Sequence, residues 1–278
     1  MIDFLNRISE LVVSGITAAF SWLPPIGVLL VHALLMGILA LSAYALVSNQ
    51  AVIKRTKNRL LARVLEIRLF QDDPLAVIGS FFRVVGGTVL YMVASLKPLI
   101  VMLPIVILWI TQLAGYFEWR PLKKGETATV VAKLEKGTDI TAGTPTLTLP
   151  AGLKVDTEAM RSLKDNELVW RVRAEGDVAG AMKIAAGNAS AEKEIAAGSG
   201  RLQQVSPERL KATAGFWDKV YYPYESTLPA DGPFSEIRVP YPTAQMKVLG
   251  MEMHWLIVLL IASIVFGFAL KKPFKVEF

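Results

Sequence analysis

Cysteine is absent, which excludes disulfides, thiolate nucleophiles and cysteine-based metal sites. Any domain outside the cytoplasm must therefore stand on its own core. Histidine is scarce: His32 and His254 are the only two, and both lie in or beside apolar stretches. HExxH, GxSxG, phosphate-loop and GxGxxG patterns are missing. The one adjacent acidic pair that invites a catalytic reading, Asp72–Asp73, precedes Pro74. Neighbouring side chains diverge, and an acidic residue before proline is an ordinary helix start. The expectation is a protein that is not an enzyme and uses no cofactor or metal. A basic leader is missing too. Asp3, Arg7 and Glu10 stand where a signal peptide would carry its positive region. The first apolar span is expected to act as the targeting signal.

Apolar residues, by contrast, are abundant. They make up 53% of the 278 residues, with mean hydropathy +0.43, and the excess is gathered into blocks. A bilayer core of about 30 Å needs roughly 20 apolar residues in a helix. Segments 25–47, 98–117 and about 253–270 are free of Asp, Glu, Lys and Arg and qualify as spans. The third is the shortest; His254, Trp255, Lys271 and Lys272 flank it as interface anchors.

The net charge of +6 does not indicate nucleic acid, because the basic residues cluster beside the spans. The 48–97 segment carries Lys54, Arg55, Lys57, Arg59, Arg63, Arg68, Arg83 and Lys97, and the tail carries Lys271, Lys272 and Lys275. The positive-inside bias puts both in the cytoplasm. Three spans satisfy this, with the N-terminus and residues 118–250 outside. The lack of cysteine in the outer domain, and of N-glycosylation context beyond the one sequon Asn188-Ala189-Ser190, adds the expectation of a bacterial inner membrane.

Residues 2–20 gather Phe4, Leu5, Ile8, Leu11, Val12, Ile16 and Phe20 on one helical stripe. This predicts an amphipathic helix in the outer interface that turns into the first span at Pro24–Pro25. Segment 48–97 reads as a helical hairpin with its turn at Gln71–Pro74. A spanning second arm would put Arg83 near mid-bilayer at a cost of about 2.5–3.5 kcal/mol. The arm is therefore expected on the membrane surface or against the first arm. Pro104 is expected to kink the second span or mark a shallow entry.

Beyond residue 118 the character changes. Short alternating runs (ETATVVAKL, TPTLTLP, ELVWRVRA, GAMKIAAG, SEIRVPYP) alternate with turn residues. They predict an all-β, immunoglobulin-like sandwich over 118–250 with Trp170 in its core. A short helix and a surface loop are expected within 200–220, and YYPYESTLP reads as a loop over one end of the sandwich or as a recognition surface.

The order of parts resembles the YidC/Oxa superfamily of membrane protein insertases, including its three-span relatives. RLLARVLEIRLFQDDPLAVI resembles that family's cytoplasmic hairpin, and SLKPLIVMLPIVILW its entry to the next span. Asp72, Asp73, Pro74, Pro98, Leu99, Leu103 and Pro104 carry the likeness, which covers about residues 1–117 and 251–278. It implies a partly polar, lipid-open groove that eases a short hydrophilic flank of a client across the membrane. It also implies a hairpin that meets nascent clients or the ribosome. Two features depart from the pattern. The first span has no arginine, and the β domain lies between the last two spans. A groove would have to be built from Ser42, Tyr44, Asn49, Thr111, Gln112 and Ser263. The alternative is a non-catalytic envelope scaffold or accessory subunit, held on membrane lipids, whose β domain binds an extracytoplasmic protein.

Overall fold

The computed structural model describes residues 2–47, 50–69, 74–141, 143–187, 189–198, 200, 202–248 and 250–274. It combines helices with antiparallel β-sheets and divides into two compact units. The first comprises Met1–Val28 and Leu108–Trp255, and the second Leu29–Ile107 and Leu256–Phe278.

Four helices come first: α1 (Ile2–Ala19), α2 (Pro25–Val47), α3 (Gln50–Leu69) and α4 (Pro74–Phe117). The second hairpin arm and the second span, separate in the sequence reading, form one continuous helix. At 44 residues α4 runs for about 66 Å, roughly twice a bilayer core. Pro98 and Pro104 both lie inside it. Each removes one backbone hydrogen bond, and the helix continues through both. Two helical stretches, Pro25–Val47 and Leu96–Phe117, are long and apolar enough to cross a membrane. The last helix, α6 (Trp255–Leu270), is apolar throughout but has 16 residues.

Between α4 and α6 the chain forms β1 (Thr127–Leu134), β2 (Thr146–Thr148), β3 (Leu153–Ser162), β4 (Glu167–Ala174), β5 (Val178–Ala186), β6 (Ala189–Ala197) and β7 (Glu208–Leu210). Helix α5 (Phe216–Tyr221), β8 (Phe234–Arg238), β9 (Met246–Val248) and β10 (Met251–Met253) complete it. One sheet runs β3-β4-β1-β8-β7, a second β2-β5-β6, and β9 pairs with β10. Alternation dictates which faces are buried. Ala128, Val130 and Ala132 of β1 stand opposite Val172, Trp170 and Leu168 of β4, and all six are buried. Met182, Ile184 and Ile195 of the second sheet belong to the same apolar cluster, so both sheets share one core.

Strand β6 is an edge, and side chains cover it where another strand would pair. Arg209 donates to the Glu192 carbonyl. Glu225 accepts from the Glu194 amide at 3.0 Å and Tyr241 Oη from the Ala196 amide at 3.0 Å. This blunts the row of free backbone groups that makes edges sticky. Where α4 leads into β1, Arg120 holds Glu126 through two hydrogen bonds of 2.8 and 2.9 Å.

Candidate functional site

The groove residues proposed from sequence fall into both units. In the second unit, Ser42 Oγ donates to the Ile38 carbonyl at 2.8 Å and Ser263 Oγ to the Leu260 carbonyl at 2.9 Å. Both hydroxyls are thus turned into their own helices, and Tyr44 is half-buried. Ser263 instead helps make a helix contact. A Cβ added at Gly37 of α2 would lie 3.2 Å from the Ser263 carbonyl oxygen and 3.4 Å from the Gly267 amide of α6. Ser263 and Gly267 are four apart, the small-xxx-small spacing that lets apolar helices approach closely. Gly37→Leu should push α2 from α6 and lower stability by about 1–3 kcal/mol. Thermal unfolding in detergent would measure this, with Gly37→Ala milder.

Asn49, Asp72 and Asp73 lie outside the described residues. Lys54, Arg55, Lys57, Arg59, Arg63 and Arg68 all lie on α3, and Pro74 opens α4. The side chains of Arg55, Lys57, Arg59 and Arg83 are exposed. So are large apolar ones beside them: Leu61, Leu65 and Leu69 on α3, and Ile78, Phe81, Phe82, Val85 and Met92 on α4. Helices of a water-soluble protein turn such residues inward.

In the first unit, Thr111 and Gln112 do come together with other polar groups, though not as an open wall. The Thr111 hydroxyl bonds back to the Leu108 carbonyl at 3.0 Å. Gln112 is 1% exposed, and its Nε2 donates to the Asn6 carbonyl and to Ser9 Oγ, each at 3.2 Å. Helix α1 is thereby tied to α4 by its polar side. Asn6, Val13 and Thr17 are its buried residues, while Phe4 and Leu11 are 68% and 74% exposed. That polarity is the reverse of what a helix on a water-soluble core shows.

The tyrosine-rich loop makes the second tie. Tyr224 Oη donates to the Thr111 carbonyl at 2.8 Å. Its ring lies where a Cβ on Gly115 would be, 2.7 Å away, so only glycine admits it. Burial pushes the Tyr224 hydroxyl's pKa well up, so it stays a donor. At the start of α6, Trp255 Nε1 donates to Glu118 Oε2 at 2.5 Å, and its ring stacks on Phe117.

Behind β6 lies the one fully buried lysine among the described residues. Lys193 is 0% exposed and pairs with Glu225, whose side chain is 5% exposed. Its Nζ also donates to the Ser206 carbonyl at 2.6 Å and to Ser206 Oγ at 3.0 Å. Desolvation pulls the lysine's pKa down and Glu225 opposes that shift. With every donor committed, the ammonium holds strand and loop together. It is not poised for nucleophilic chemistry. Sequence reading missed this pair, although one signal was present. Strand alternation puts Lys193 in phase with the inward Ala191, Ile195 and Ala197.

Next to it is a cavity of about 640 Å³ lined by Ser14, Thr17 and Ser21 of α1, Tyr116, the small residues Ala179–Ala181, Glu194 and Gln203–Gln204. Desolvation, and then the Glu225 charge, raise the Glu194 pKa. A carboxyl raised on folding contributes stability below its unfolded pKa and loses it as pH rises through the folded value. Lowering pH from 7 toward 5 should thus stabilise this region, and Glu194→Gln should flatten that response. Melting temperatures of both proteins across this window would check it. Glu126 acts oppositely and lower down. Hydrogen bonds from Arg120 bring its pKa to about 2, so its contribution is lost only in stronger acid.

Among the described residues, no three of His, Cys, Asp or Glu gather as metal ligands would. No family model, curated protein or solved structure matches this chain.

Proposed function

We propose that the chain is a three-span membrane protein that assists insertion or folding of client membrane segments. The observation that carries this is the surface of α3 and α4. Arg55, Lys57 and Arg59 on α3 are exposed, and on α4 Arg83 is exposed next to Phe82 and on the same helix as exposed Ile78, Phe81 and Met92, a set suited to an apolar segment with a polar or acidic flank. The helix order, with α1 before α2 and the basic α3 leading into the long α4, supports the YidC/Oxa-like reading. So does the lack of charge in α2 and α6. In this reading α3 and the first part of α4 face the cytoplasm of a bacterial cell, and the β domain, an immunoglobulin-like sandwich, faces outward. The work is physical: partial solvation lowers the several kcal/mol that a bare polar group costs in hydrocarbon.

A second reading, the envelope scaffold, gains from Ser42, Ser263 and Gln112. Their donors are spent inside the protein, and the remaining polar walls would have to come from elsewhere. A reconstituted insertion assay separates the two. Purified protein in liposomes is supplied with a single-span client that has a short hydrophilic flank, and the protease-protected fraction is measured. The insertase reading expects protection well above empty liposomes, reduced by Phe81→Glu with Phe82→Glu. Equal protection with and without the protein would leave the scaffold.

A further inference from the structure

We propose that α5 is a second lipid anchor, which seats Phe216, Trp217 and Tyr221 in the same membrane interface as α1. The proposal rests on the membrane reading above and adds to it a role for the β domain.

Helix α5 has six residues. Val220 is buried, whereas Phe216, Trp217 and Tyr221 are 54%, 59% and 60% exposed. Phe216 and Trp217 meet edge to face with centroids 5.3 Å apart. Three large aromatic side chains on so short an element give nothing to the core of their own domain. A bilayer interface is the environment that accepts this set. Tryptophan and tyrosine carry an apolar body and a polar tip, and they concentrate at the headgroup level.

The depth of α5 is fixed by what holds it. Asn6 Nδ2 of α1 donates to the Lys219 carbonyl at 2.9 Å, and Lys219 Nζ lies 3.5 Å from Asp3. Helix α1 exposes Phe4, Ile8 and Leu11. It ends six residues before the apolar α2 begins at Pro25, so the chain brings its C-terminal end to the level where that helix enters lipid, and its exposed apolar stripe lays the rest of α1 along that level. A segment hydrogen-bonded to α1 sits within a side chain's length of that level. A protein partner could cover the aromatics, but it would also have to cover the apolar stripe of α1, which the bilayer covers without a partner.

The absence of cysteine makes the test direct. Single-cysteine variants Trp217→Cys, Leu11→Cys and Glu158→Cys of the full chain are labelled with an environment-sensitive fluorophore and reconstituted in phosphatidylcholine–phosphatidylglycerol vesicles. Quenching by headgroup- and shallow-chain nitroxide lipids is then read. Glu158 is exposed on β3, at the sheet edge opposite β7, and serves as the dry control. The proposal expects roughly twofold or greater quenching at 217 and at 11, and none at 158. Tyr221→Cys provides an independent reading of the same helix. Quenching at 11 but not at 217 or 221 overturns the α5 anchor and leaves the membrane reading standing. Absence of quenching at all positions overturns both.

Discussion

Glu225→Gln should destabilise the β domain by about 3–5 kcal/mol, because it leaves a buried ammonium without its counter-charge. The substitution preserves shape, so the loss isolates charge from packing. Lys193 is 0% exposed, and its other acceptors are the neutral Ser206 carbonyl and hydroxyl and the Glu194 carbonyl. Three neutral oxygens do not offset desolvation of a full charge. The lysine would lose its proton more readily, and stability would then rise with pH more steeply than in the parent. Adding Lys193→Met should recover part of the loss, since it removes the buried charge that Glu225→Gln leaves uncompensated. Urea unfolding of the full chain in detergent, followed by tryptophan fluorescence, measures both variants. Equal stability of Glu225→Gln and the parent would mean that the pair does not hold β6 to the loop that carries Glu225.

Trp170→Ala should cost about as much, roughly 3–5 kcal/mol, through lost burial and the cavity left behind. Trp170 is 3% exposed, stands opposite Val130 in the β1–β4 register and lies in the core shared by both sheets. Its strand, β4, is held between β3 and β1, which limits how far the backbone can collapse into the space. Trp170→Phe should cost less. The same urea titration reads both, and a loss below about 1 kcal/mol for the alanine variant would contradict a core position.

Trp170 also illustrates what was legible in the sequence. Leu168, Trp170, Val172 and Ala174 alternate cleanly with outward residues, and so do the inward residues of β1. Those strands can be read directly from the chain. Strand β3 (LKVDTEAMRS) could not be, because almost none of it is buried and it has no apolar phase. Strand β6 was obscured by Glu192, Lys193 and Glu194. Its lysine points inward to a partner 32 residues away, and local pattern carries no trace of that partner. The junction was hidden for the same reason. Gln112 and Asn6 are 106 residues apart, and nothing local to either one points to the other. Helix α1 was legible as amphipathic, and its polar side proved to be the one the protein buries. The continuity of α4 was hidden by Pro98 and Pro104, which in a water-exposed segment would end a helix. In the membrane reading, lipid around this stretch makes an interrupted backbone costlier than two missing hydrogen bonds.

Whether this chain handles clients is tested most directly by site-specific photocrosslinking. Probes are placed at Phe81 and Phe82 of α4 and at Ser42 of α2, in membranes where nascent single-span clients are being translated, with the buried Gln112 as the inaccessible control. The insertase reading expects client crosslinks at 81 and 82 that precede those at 42, and none at 112. Deleting residues 54–95 should abolish the later ones. Crosslinks only to lipid, or to a constant set of resident proteins, would contradict it and place the function in the β domain.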